Sequence, residues 1–369
     1  MLSFNVSAIA ALVPSVASEF KADPFLAGRM LWFYLIPYGL AALLYGPLTR
    51  RFDPRTILLP CITILSLANF LGWWAENIDV VFFARVLAGI SGAGIIPVAL
   101  IMIAKATPEV ERGKRVGFFF SSTFVASLFG VFLSGLIGWR WIFMIPALIG
   151  IVSLVAIYFF VPPLLVEKGN FTLQYRQTLA DTKVVKLFTY IFLVSLFYHG
   201  ISQWLGVYFS LVNHLEQFFI SMLLTTVSVS GIIGSSLGGV LSDRLGRTKV
   251  IRIGKGLMIM VTFSLLLKGS VCILFALMFA WGLGWTFNHV GVSTFLTDLP
   301  LTQVFESASL NSSVRFLSAG LGSALGEIVM QKGFALGFIL FGTCLLILLM
   351  VTKKLIVLHQ EVYYGVIRR

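Results

Sequence analysis

Charged side chains are scarce in this 369-residue chain. Aspartate, glutamate, lysine and arginine make up 11% of the residues, whereas 58% are hydrophobic. A water-soluble fold of this size cannot cover so much apolar surface with so few polar groups. The composition therefore excludes a soluble globular protein and predicts an integral membrane protein in contact with a lipid bilayer.

Cysteine is also rare, and Cys61, Cys272 and Cys344 each lie alone in an apolar run. Without paired spacing, neither a disulfide framework nor a metal site is predicted. The sequence shows no phosphate-binding glycine loop and no nucleophile constellation, so we expect neither an enzyme nor a cofactor. The net charge of +12 does not indicate nucleic-acid binding, because the basic residues lie in short turns between apolar runs.

Apolar runs dominate what remains, and twelve of them are candidate membrane spans. A spanning helix needs about 20 residues at ~1.5 Å each, and the runs lack the alternation typical of a membrane barrel. The sequence thus predicts an all-α polytopic membrane protein. The first run, from Met1 to Phe20, is short, so we expect a shortened first helix. A cleaved signal peptide is the alternative, although no basic residue precedes the run.

One long connection divides the spans six and six, as expected of two pseudo-equivalent halves. We predict an N-terminal half over 1–161, a linker over 162–186, a C-terminal half over 187–352 and a tail over 353–369. Of the 27 basic residues, 20 fall on the side of the two termini, five on the other side, and Arg85 and Arg315 within spans. The positive-inside rule therefore predicts that both termini and the linker are cytosolic.

A compact charged turn from Gly239 to Lys249 joins the eighth and ninth runs. Its order of glycine, leucine, aspartate, arginine, glycine and arginine resembles the signature loop of the major facilitator superfamily. The resemblance implies two six-helix halves and a secondary transporter that works by alternating access. The first-half copy of the loop is degraded, since Arg50 stands in the place of Asp243 and Asp53 in that of Gly246. The predicted conformational-switch residues are Gly239, Asp243, Arg244, Gly246, Arg247, Gly46, Arg50, Arg51 and Arg55.

The resemblance implies that the aspartate of this loop latches one state of the transporter. In the family it lies near the N-terminus of a helix in the opposite half, where the helix dipole favours an anion. We expect Asp243 to approach the start of the fifth span, near Arg115. For the first half we hypothesise a charge-reversed pair of Arg50 with Glu306. The alternative is that Arg50 is one more positive-inside charge.

Three further stretches resemble the family. Arg85 to Gly92 resembles a motif whose arginine is associated with proton coupling, although a snorkelling arginine is the alternative. Ala126 to Gly135 resembles the antiporter motif of drug exporters, but Val131 occupies the place of its proline. Gly138 to Phe143 matches the turn between the fifth and sixth spans of exporters.

Small residues at regular spacing predict close helix packing. In the family, spans 2, 5, 8 and 11 pack across the interface of the halves, so those of spans 8 and 11 are expected to form sliding surfaces. Generic packing between helices is the alternative. The predicted packing glycines are Gly89, Gly92, Gly130, Gly234, Gly238, Gly322 and Gly326.

Polar groups near the middle of spans mark the expected cavity. His199 and Gln203 lie four residues apart on one face of the seventh span. Histidine titrates near neutral pH, so His199 is the leading candidate for proton exchange or substrate contact, with a structural histidine as the alternative. Glu327, near the outer end of its span, is expected to be exposed at the interface. The predicted proton-coupling or cavity residues are Arg85, His199, Gln203, Asn288, Asn311 and Tyr38, with His289 as a secondary candidate.

The resemblance favours proton-coupled export of a small organic molecule, such as a drug-like compound or metabolite. Uptake of a metabolite is one alternative, and a transport-inactive relative serving as a receptor or assembly component is another. We expect a monomer in the cell membrane, in a bacterium the inner membrane, with protons as the coupling ion. Substrate identity is beyond the sequence, because one fold serves many solutes.

Overall fold

The protein is described by a computed structural model, which gives the structure of residues 1–163, 175–267, 269–296 and 304–356. These residues form fifteen α-helices and contain no β-strand. The all-helical architecture predicted from the sequence is therefore observed.

The first half contains seven helices in chain order. They are α1 (Leu2–Glu19), α2 (Pro24–Leu48), α3 (Pro54–Trp74), α4 (Ile78–Gly92), α5 (Ile95–Ala106), α6 (Glu109–Leu133) and α7 (Trp139–Phe160). The short α8 (Tyr175–Ala180) lies in the connection between the halves. The second half contains α9 (Thr182–Ser202), α10 (Leu205–Leu211), α11 (Gln217–Leu245), α12 (Arg247–Ser264), α13 (Val271–Leu296), α14 (Val304–Met330) and α15 (Phe334–Ile356).

Twelve helical segments correspond to the twelve predicted spans, because α4 with α5 and α9 with α10 each form one interrupted span. Within the described residues, nine segments are long and apolar enough to cross a membrane. The other three, α6, α12 and α14, carry charged and polar residues; α12, for example, contains four basic side chains. Large apolar side chains face outward, as in Phe160 and Met350, which are 83% and 70% exposed.

Acidic side chains set the starts of several helices. Asp23 precedes Pro24 and accepts a hydrogen bond from the Phe25 N–H at 2.8 Å, and Asp53 does the same for Arg55 at 3.1 Å. Such caps satisfy backbone donors that have no partner within the helix, and proline at the first position has the required φ.

The two ends of the bundle differ in their turns. We call the side on which α1 begins and α15 ends the proximal side, and the opposite one the distal side. The α2–α3 and α11–α12 turns are proximal, whereas the α1–α2 and α6–α7 turns are distal. This orientation follows from twelve alternating segments and places both predicted signature loops on the proximal side.

The halves meet most closely along α2 and α14 and along α1 and α10. A Cβ on Gly39 of α2 would lie 2.5 Å from the backbone nitrogen of Leu317 in α14. A Cβ on Gly206 of α10 would lie 2.1 Å from the carbonyl oxygen of Ala10 in α1. Only glycine permits such backbone approach. Neither position was among the packing glycines predicted from the sequence.

The glycines expected to form sliding surfaces pack inside the second half instead. A Cβ on Gly234 or Gly238 of α11 would first meet side chains of α13, and one on Gly322 of α14 would meet the Leu196 carbonyl of α9 at 2.2 Å. Gly326 likewise faces Gly200 of α9. The structure therefore corrects the sliding-surface expectation: these residues join neighbouring helices of one half.

In the first half, Gly89 of α4 faces the Tyr34 carbonyl of α2 at 2.4 Å, and Gly92 faces the Leu2 side chain at 2.7 Å. Gly130 of α6 faces the Phe4 carbonyl of α1, where a Cβ would lie at only 2.0 Å. A side-chain atom cannot approach a carbonyl so closely, so α1 and α6 would have to separate.

We expect Gly130→Ala to destabilise the protein by about 1–3 kcal/mol, the usual range for overpacking. The matched control is Gly256→Ala in α12, where an added Cβ would meet no other described residue within 4 Å and alanine should add helix stability of about 1 kcal/mol. Thermal unfolding of the purified protein in detergent, followed by tryptophan fluorescence, measures both. Equal melting temperatures for the two variants would contradict the packing assignment.

Candidate functional site

A cavity of about 290 Å³ lies midway along the spans, between the two halves. The first half contributes mainly apolar and hydroxyl side chains from α1 and α6, and the second half contributes larger polar and aromatic ones. Its lining residues are Val6, Ser7, Ala10, Phe124, Ser127, Val131, Tyr198, His199, Ser202, Gln203, Leu224, Val227, Ser228, Gly231, Gly282, Trp285 and Thr286. A concave, largely apolar space with a few convergent polar groups is the usual form of a small-molecule site.

The structure places His199 and Gln203 together in this cavity, as their spacing predicts. The His199 Nδ1 lies 2.8 Å from the Ser195 carbonyl oxygen, which can only accept, so Nδ1 carries the proton and Nε2 keeps its lone pair. Among the described residues the side-chain amide of Gln203 has no hydrogen-bond partner. Both groups can therefore bind a ligand, and their role remains a prediction.

An aromatic wall stands beside these polar groups. Tyr198 stacks between Trp281 and Trp285, with ring centroids 4.9 Å and 3.9 Å apart. His199 meets Trp285 edge-on at 5.4 Å. The wall can take up an apolar or aromatic ligand body by stacking. No pattern in the sequence predicted that α13 supplies it.

The cavity continues toward the proximal side. A second space, of about 170 Å³, shares Val6, Ser7, Phe124 and Ser127 with the first and extends it along α1 to Leu2 and Ser3. The exposed Asp243 at the end of α11 lies on this side as well. The cavity therefore extends along α1 and α6 toward the proximal side.

A polar network closes the cavity on the distal side. The Gln217 amide donates to the Ala11 carbonyl at 2.9 Å and to the Ser221 hydroxyl at 3.0 Å. Its oxygen accepts from Ser15 at 2.7 Å, and Ser221 contacts the Ser134 hydroxyl at 2.9 Å. One glutamine of α11 therefore joins the second half to α1 and α6 of the first.

A second distal contact joins α2 to α14. Glu327 accepts from Arg29 Nε at 2.8 Å and from Trp32 Nε1 at 2.9 Å. Glu327 is 5% exposed, so the expectation of an exposed interfacial acid is wrong. Arg29 and Trp32 lie on one face of α2, but only the assembled halves bring the acid to them.

Arg315 lies near the middle of α14 and forms a polar cluster with α13. Its Nε donates to Asn311 Oδ1 at 2.8 Å and its Nη1 to His289 Nδ1 at 2.7 Å, with the Ser293 hydroxyl 3.4 Å from Nη2. His289 follows Trp285 of the aromatic wall by four residues, on the same helix face. Asn311 thus contacts Arg315, and Arg315 itself is only half-buried.

Arg85, the other arginine within a span, is fully enclosed in the first half. Its Nε donates to the Met30 carbonyl at 3.1 Å, its Nη1 donates to Asn5 Oδ1, and its guanidinium carbon lies 4.3 Å from the Tyr34 ring centroid. It is 1% exposed, which excludes a snorkelling side chain. It does not line the cavity.

Tyr38 and Asn288 also lie outside the cavity. Tyr38 stacks on Phe316 of α14 at 3.7 Å, between the halves, and is fully buried. Asn288 is 1% exposed and accepts from the Tyr190 hydroxyl. Of the predicted cavity residues, only His199 and Gln203 contribute to its lining.

Lys255 does not belong to the proximal turn in which its basic charge was counted. It lies inside α12, fully buried, with its Nζ donating to Thr352 Oγ1 and 4.6 Å from the Tyr190 ring centroid. Carbonyl, hydroxyl and aromatic groups surround the ammonium. Lys255 therefore does not count among the basic residues of a proximal turn.

The proximal signature loops differ in backbone conformation. Gly246 has φ 88°, a left-handed value that favours glycine. Asp53, in the corresponding place of the first loop, has φ −56°, which any residue adopts. Asp243 makes no hydrogen bond or ion pair with the described residues, while Arg115 pairs with Glu111 of its own helix at 3.4 Å.

Among the described side chains, Asp243 therefore makes no contact of the predicted kind with the start of α6. The hypothesis pairing Arg50 with Glu306 cannot be placed, because the Glu306 side chain lies outside those that the structure describes. Arg244 is exposed, and Arg247 begins α12. The switch role of these residues remains a prediction.

The distal turn that matched exporters has a structural role. Arg140 donates to Glu19 Oε1 at 2.7 Å and to the backbone carbonyls of Trp73 and Ala75. Trp139 Nε1 donates to the same carboxylate at 2.5 Å. This turn holds the distal ends of α1, α3 and α7 together.

Comparison with known proteins agrees with this architecture. The sequence profile of the Major Facilitator Superfamily matches residues 1–327. The human organic anion transporter MFSD10 (TETRAN) superposes with a TM-score of 0.71 at 13% identity, covering 95% of this chain and 96% of that one. A single-residue mutant of the nucleoside transporter NupG superposes with a TM-score of 0.73 at 14% identity, covering 96% of this chain and 98% of that one. These likenesses confirm the predicted fold.

Sequence relatives are named as transporters, in agreement with the expectation that the protein is not an enzyme. "MFS-type transporter TOXA" of Cochliobolus carbonum is 30% identical over 169 residues, 44% of this chain and 30% of the relative. "MFS thioclapurine efflux transporter tcpA" of Claviceps purpurea is 29% identical over 157 residues, which are 42% of this chain and 29% of the relative. "Putative multidrug resistance protein MdtD" of Citrobacter koseri is 25% identical over 181 residues, which are 48% of this chain and 37% of the relative. The matches span about a third of each relative's length.

The two arginines within spans should differ in their contribution to stability. Arg85→Gln removes hydrogen bonds to a charged group in an enclosed site, each worth about 1.5–3 kcal/mol. Arg315 is half-buried, so in Arg315→Gln water can form the hydrogen bonds that its partners lose. We therefore expect Arg85→Gln to lower the unfolding temperature in detergent clearly more than Arg315→Gln. The reverse order would show that Arg315 supports the fold.

Proposed function

We propose that this chain, which belongs to the Major Facilitator Superfamily, exports a small organic molecule in exchange for protons by alternating access. The observation that carries the proposal is the midspan cavity, which both halves line and which is closed on the distal side. A site between two rigid halves can open to either side when one half rocks against the other.

The cavity supplies the chemistry that binding and proton exchange require. Trp285 and Tyr198 offer an aromatic surface, and Gln203 offers an unengaged amide. Among the cavity-lining residues, His199 has the side chain whose chemistry best suits proton exchange, and its Nε2 is available because Nδ1 donates to the Ser195 carbonyl. We assign proton exchange to His199.

Export is favoured by the relatives named as efflux and multidrug resistance proteins. The proximal side is assigned to the cytosol because it carries most of the basic residues. On this assignment both termini are cytosolic, the present conformation faces inward, and the protein lies in the cell membrane, in a bacterium the inner membrane. One chain forms the whole cavity, so we propose a monomer.

The proposal divides the chain as the sequence predicts. Residues 1–161 and 187–352 form the two moving halves, 162–186 is the cytosolic linker and 353–369 the tail. The second half begins with α9 at Thr182, so the linker includes the first turn of that helix. Protons and one small solute are the partners, with no cofactor.

Transport is tested in liposomes that contain the purified full chain, an imposed pH gradient and an internal pH-sensitive dye. Benzenesulfonate, benzenesulfonamide and trimethylphenylammonium supply one ring in anionic, neutral and cationic form, beside a panel of larger drug-like solutes. We expect solute-dependent proton flux with at least one of them. In His199→Gln this flux should fall to that of protein-free liposomes, while exchange of solute for solute continues.

The matched control is His214→Asn, which changes an exposed histidine in the distal α10–α11 turn and should leave proton flux unchanged. Equal flux in His199→Gln and wild type would remove His199 from the coupling mechanism. Absence of solute-dependent flux across the panel would favour the transport-inactive alternative, and flux only toward the cytosolic side would favour uptake.

The two proximal signature loops allow a separate prediction about the resting conformation. A carboxylate at a helix N-terminus contributes about 0.3–1 kcal/mol, so Asp243→Asn should shift the equilibrium about two- to fivefold toward the present proximal-open state and slow transport. Labelling of a Ser7→Cys reporter in a cysteine-free background by an impermeant maleimide, applied from the proximal side, measures this shift.

Asp53→Asn is the control in the first loop, because asparagine preserves the cap of α3. Arg50→Gln tests the charge that replaces the aspartate there. We expect labelling and transport to change far less in these variants than in Asp243→Asn. Comparable losses in all three would contradict the proposed asymmetry of the two loops.

A further inference from the structure

We propose that Arg315, together with His289 and Asn311, forms a binding subsite for the anionic group of the solute, a carboxylate, sulfonate or phosphate. The inference rests on the proposed transport function and narrows it to organic anions. It concerns residues of α13 and α14 on the proximal side of the aromatic wall.

Arg315 differs in its exposure from Arg85 and Lys255, which also lie well inside described helices. Arg85 and Lys255 are 1% and 0% exposed, and each is enclosed by carbonyl, polar and aromatic groups. Arg315 remains half-buried although it lies near the middle of α14. A cation inside a membrane protein normally faces a partner or a water-filled cavity, and such residues mark pathways of substrates and ions.

Arg315 also has unused bonding capacity. A guanidinium has five N–H donors, and the structure shows three contacts, to Asn311, His289 and Ser293. Five less three leaves two donors for a ligand. All three partners are neutral acceptors, and no carboxylate of the described residues pairs with this charge. A planar fork with free donors matches the oxygens of a carboxylate, sulfonate or phosphate.

The tautomer of His289 follows from its contact with Arg315. Arginine can only donate, so the Nδ1 of His289 accepts the bond of 2.7 Å and its proton lies on Nε2. His289 thereby holds the guanidinium in place and presents a further N–H. Asn311 fixes Nε of the same guanidinium from one turn away on α14. The fork is thus oriented before a ligand binds, which lowers the entropic cost of binding.

The subsite lies next to the cavity. His289 is one helical turn from Trp285, a lining residue, and the two rings are 6.0 Å apart. The Ser195 hydroxyl contacts both the His199 ring at 3.2 Å and the Arg315 carbonyl at 3.2 Å. A solute whose ring stacks on Trp285 can therefore direct an anionic group toward Arg315.

The test measures equilibrium binding to the purified full-length protein in detergent by calorimetry. Benzenesulfonate carries a permanent negative charge, and benzenesulfonamide is its neutral counterpart. We expect wild type to bind benzenesulfonate at least about tenfold more tightly than benzenesulfonamide, and Arg315→Gln to lose this preference, a difference that corresponds to about 1.4 kcal/mol. Arg315→Lys should retain part of it as a point charge.

Arg252→Gln is the matched control, because it removes the same charge from an exposed position on α12 and should leave binding unchanged. Thermal unfolding establishes that each variant is folded, and His289→Gln provides a second test of the cluster with Arg315 intact. An equal affinity of Arg315→Gln and wild type for benzenesulfonate, or no preference of wild type for the anion, would overturn the subsite.

Failure of this inference and failure of the transport proposal give different results. Solute-dependent flux that is unaffected in Arg315→Gln would refute the anion subsite and leave transport standing. Arg315-dependent binding of benzenesulfonate without flux of any solute would support the subsite in a protein that does not transport.

Discussion

The cost of placing a charge inside an apolar medium organises this protein. An unpaired ion in such surroundings is strongly disfavoured, so a charged side chain within a span needs a counter-ion, polar neighbours or access to water. Glu327 has Arg29 of the opposite half as its counter-ion. Arg85 and Lys255 are enclosed by carbonyl, hydroxyl, amide and aromatic groups. Arg315 has neutral partners and remains half-buried. These three arrangements separate the structural charges of Glu327, Arg85 and Lys255 from Arg315, whose charge is available for binding.

The same constraint decides how the halves can move. On the distal side the halves are joined by two separate sets of polar contacts. One is the contact of Glu327 with Arg29 and Trp32, and the other is the hydrogen-bond network of Gln217. Midway along α2 and α14, by contrast, the close approach of Gly39 to Leu317 involves no polar side chain. A rocking motion that pivots on the middle of the α2–α14 contact would break the distal polar bonds and close the proximal extension of the cavity. In the present structure the distal bonds are made and the cavity extends toward the proximal side, as one of two alternative states requires.

Much of this architecture could be predicted from the sequence. Apolar length and the Gly239–Lys249 loop identified twelve spans, two halves and the family, because these signals are local in the chain. The spacing of His199 and Gln203 also predicted their shared face. The contacts of Glu327 and Gln217 could not be predicted, since their partners lie hundreds of residues away and no pattern in either segment encodes the pairing. The sequence places Lys255 in a turn because a basic residue near the end of an apolar run is usually a turn charge. In the structure α12 already begins at Arg247, so Lys255 lies inside the helix and is buried.

The two halves also contribute unequally to the site, although the fold is pseudo-symmetric. The first half lines the cavity with small and hydroxyl side chains, such as Ser7 and Ser127, and keeps its buried arginine away from it. The second half supplies His199, Gln203 and the aromatic wall, and the Arg315 cluster lies next to them. Since a ligand is held mainly by the half that offers hydrogen bonds and stacking, it would remain with the second half during rocking. The first half would then act as the moving wall that opens and closes access, so changes there should alter rates of conformational exchange more than solute selectivity.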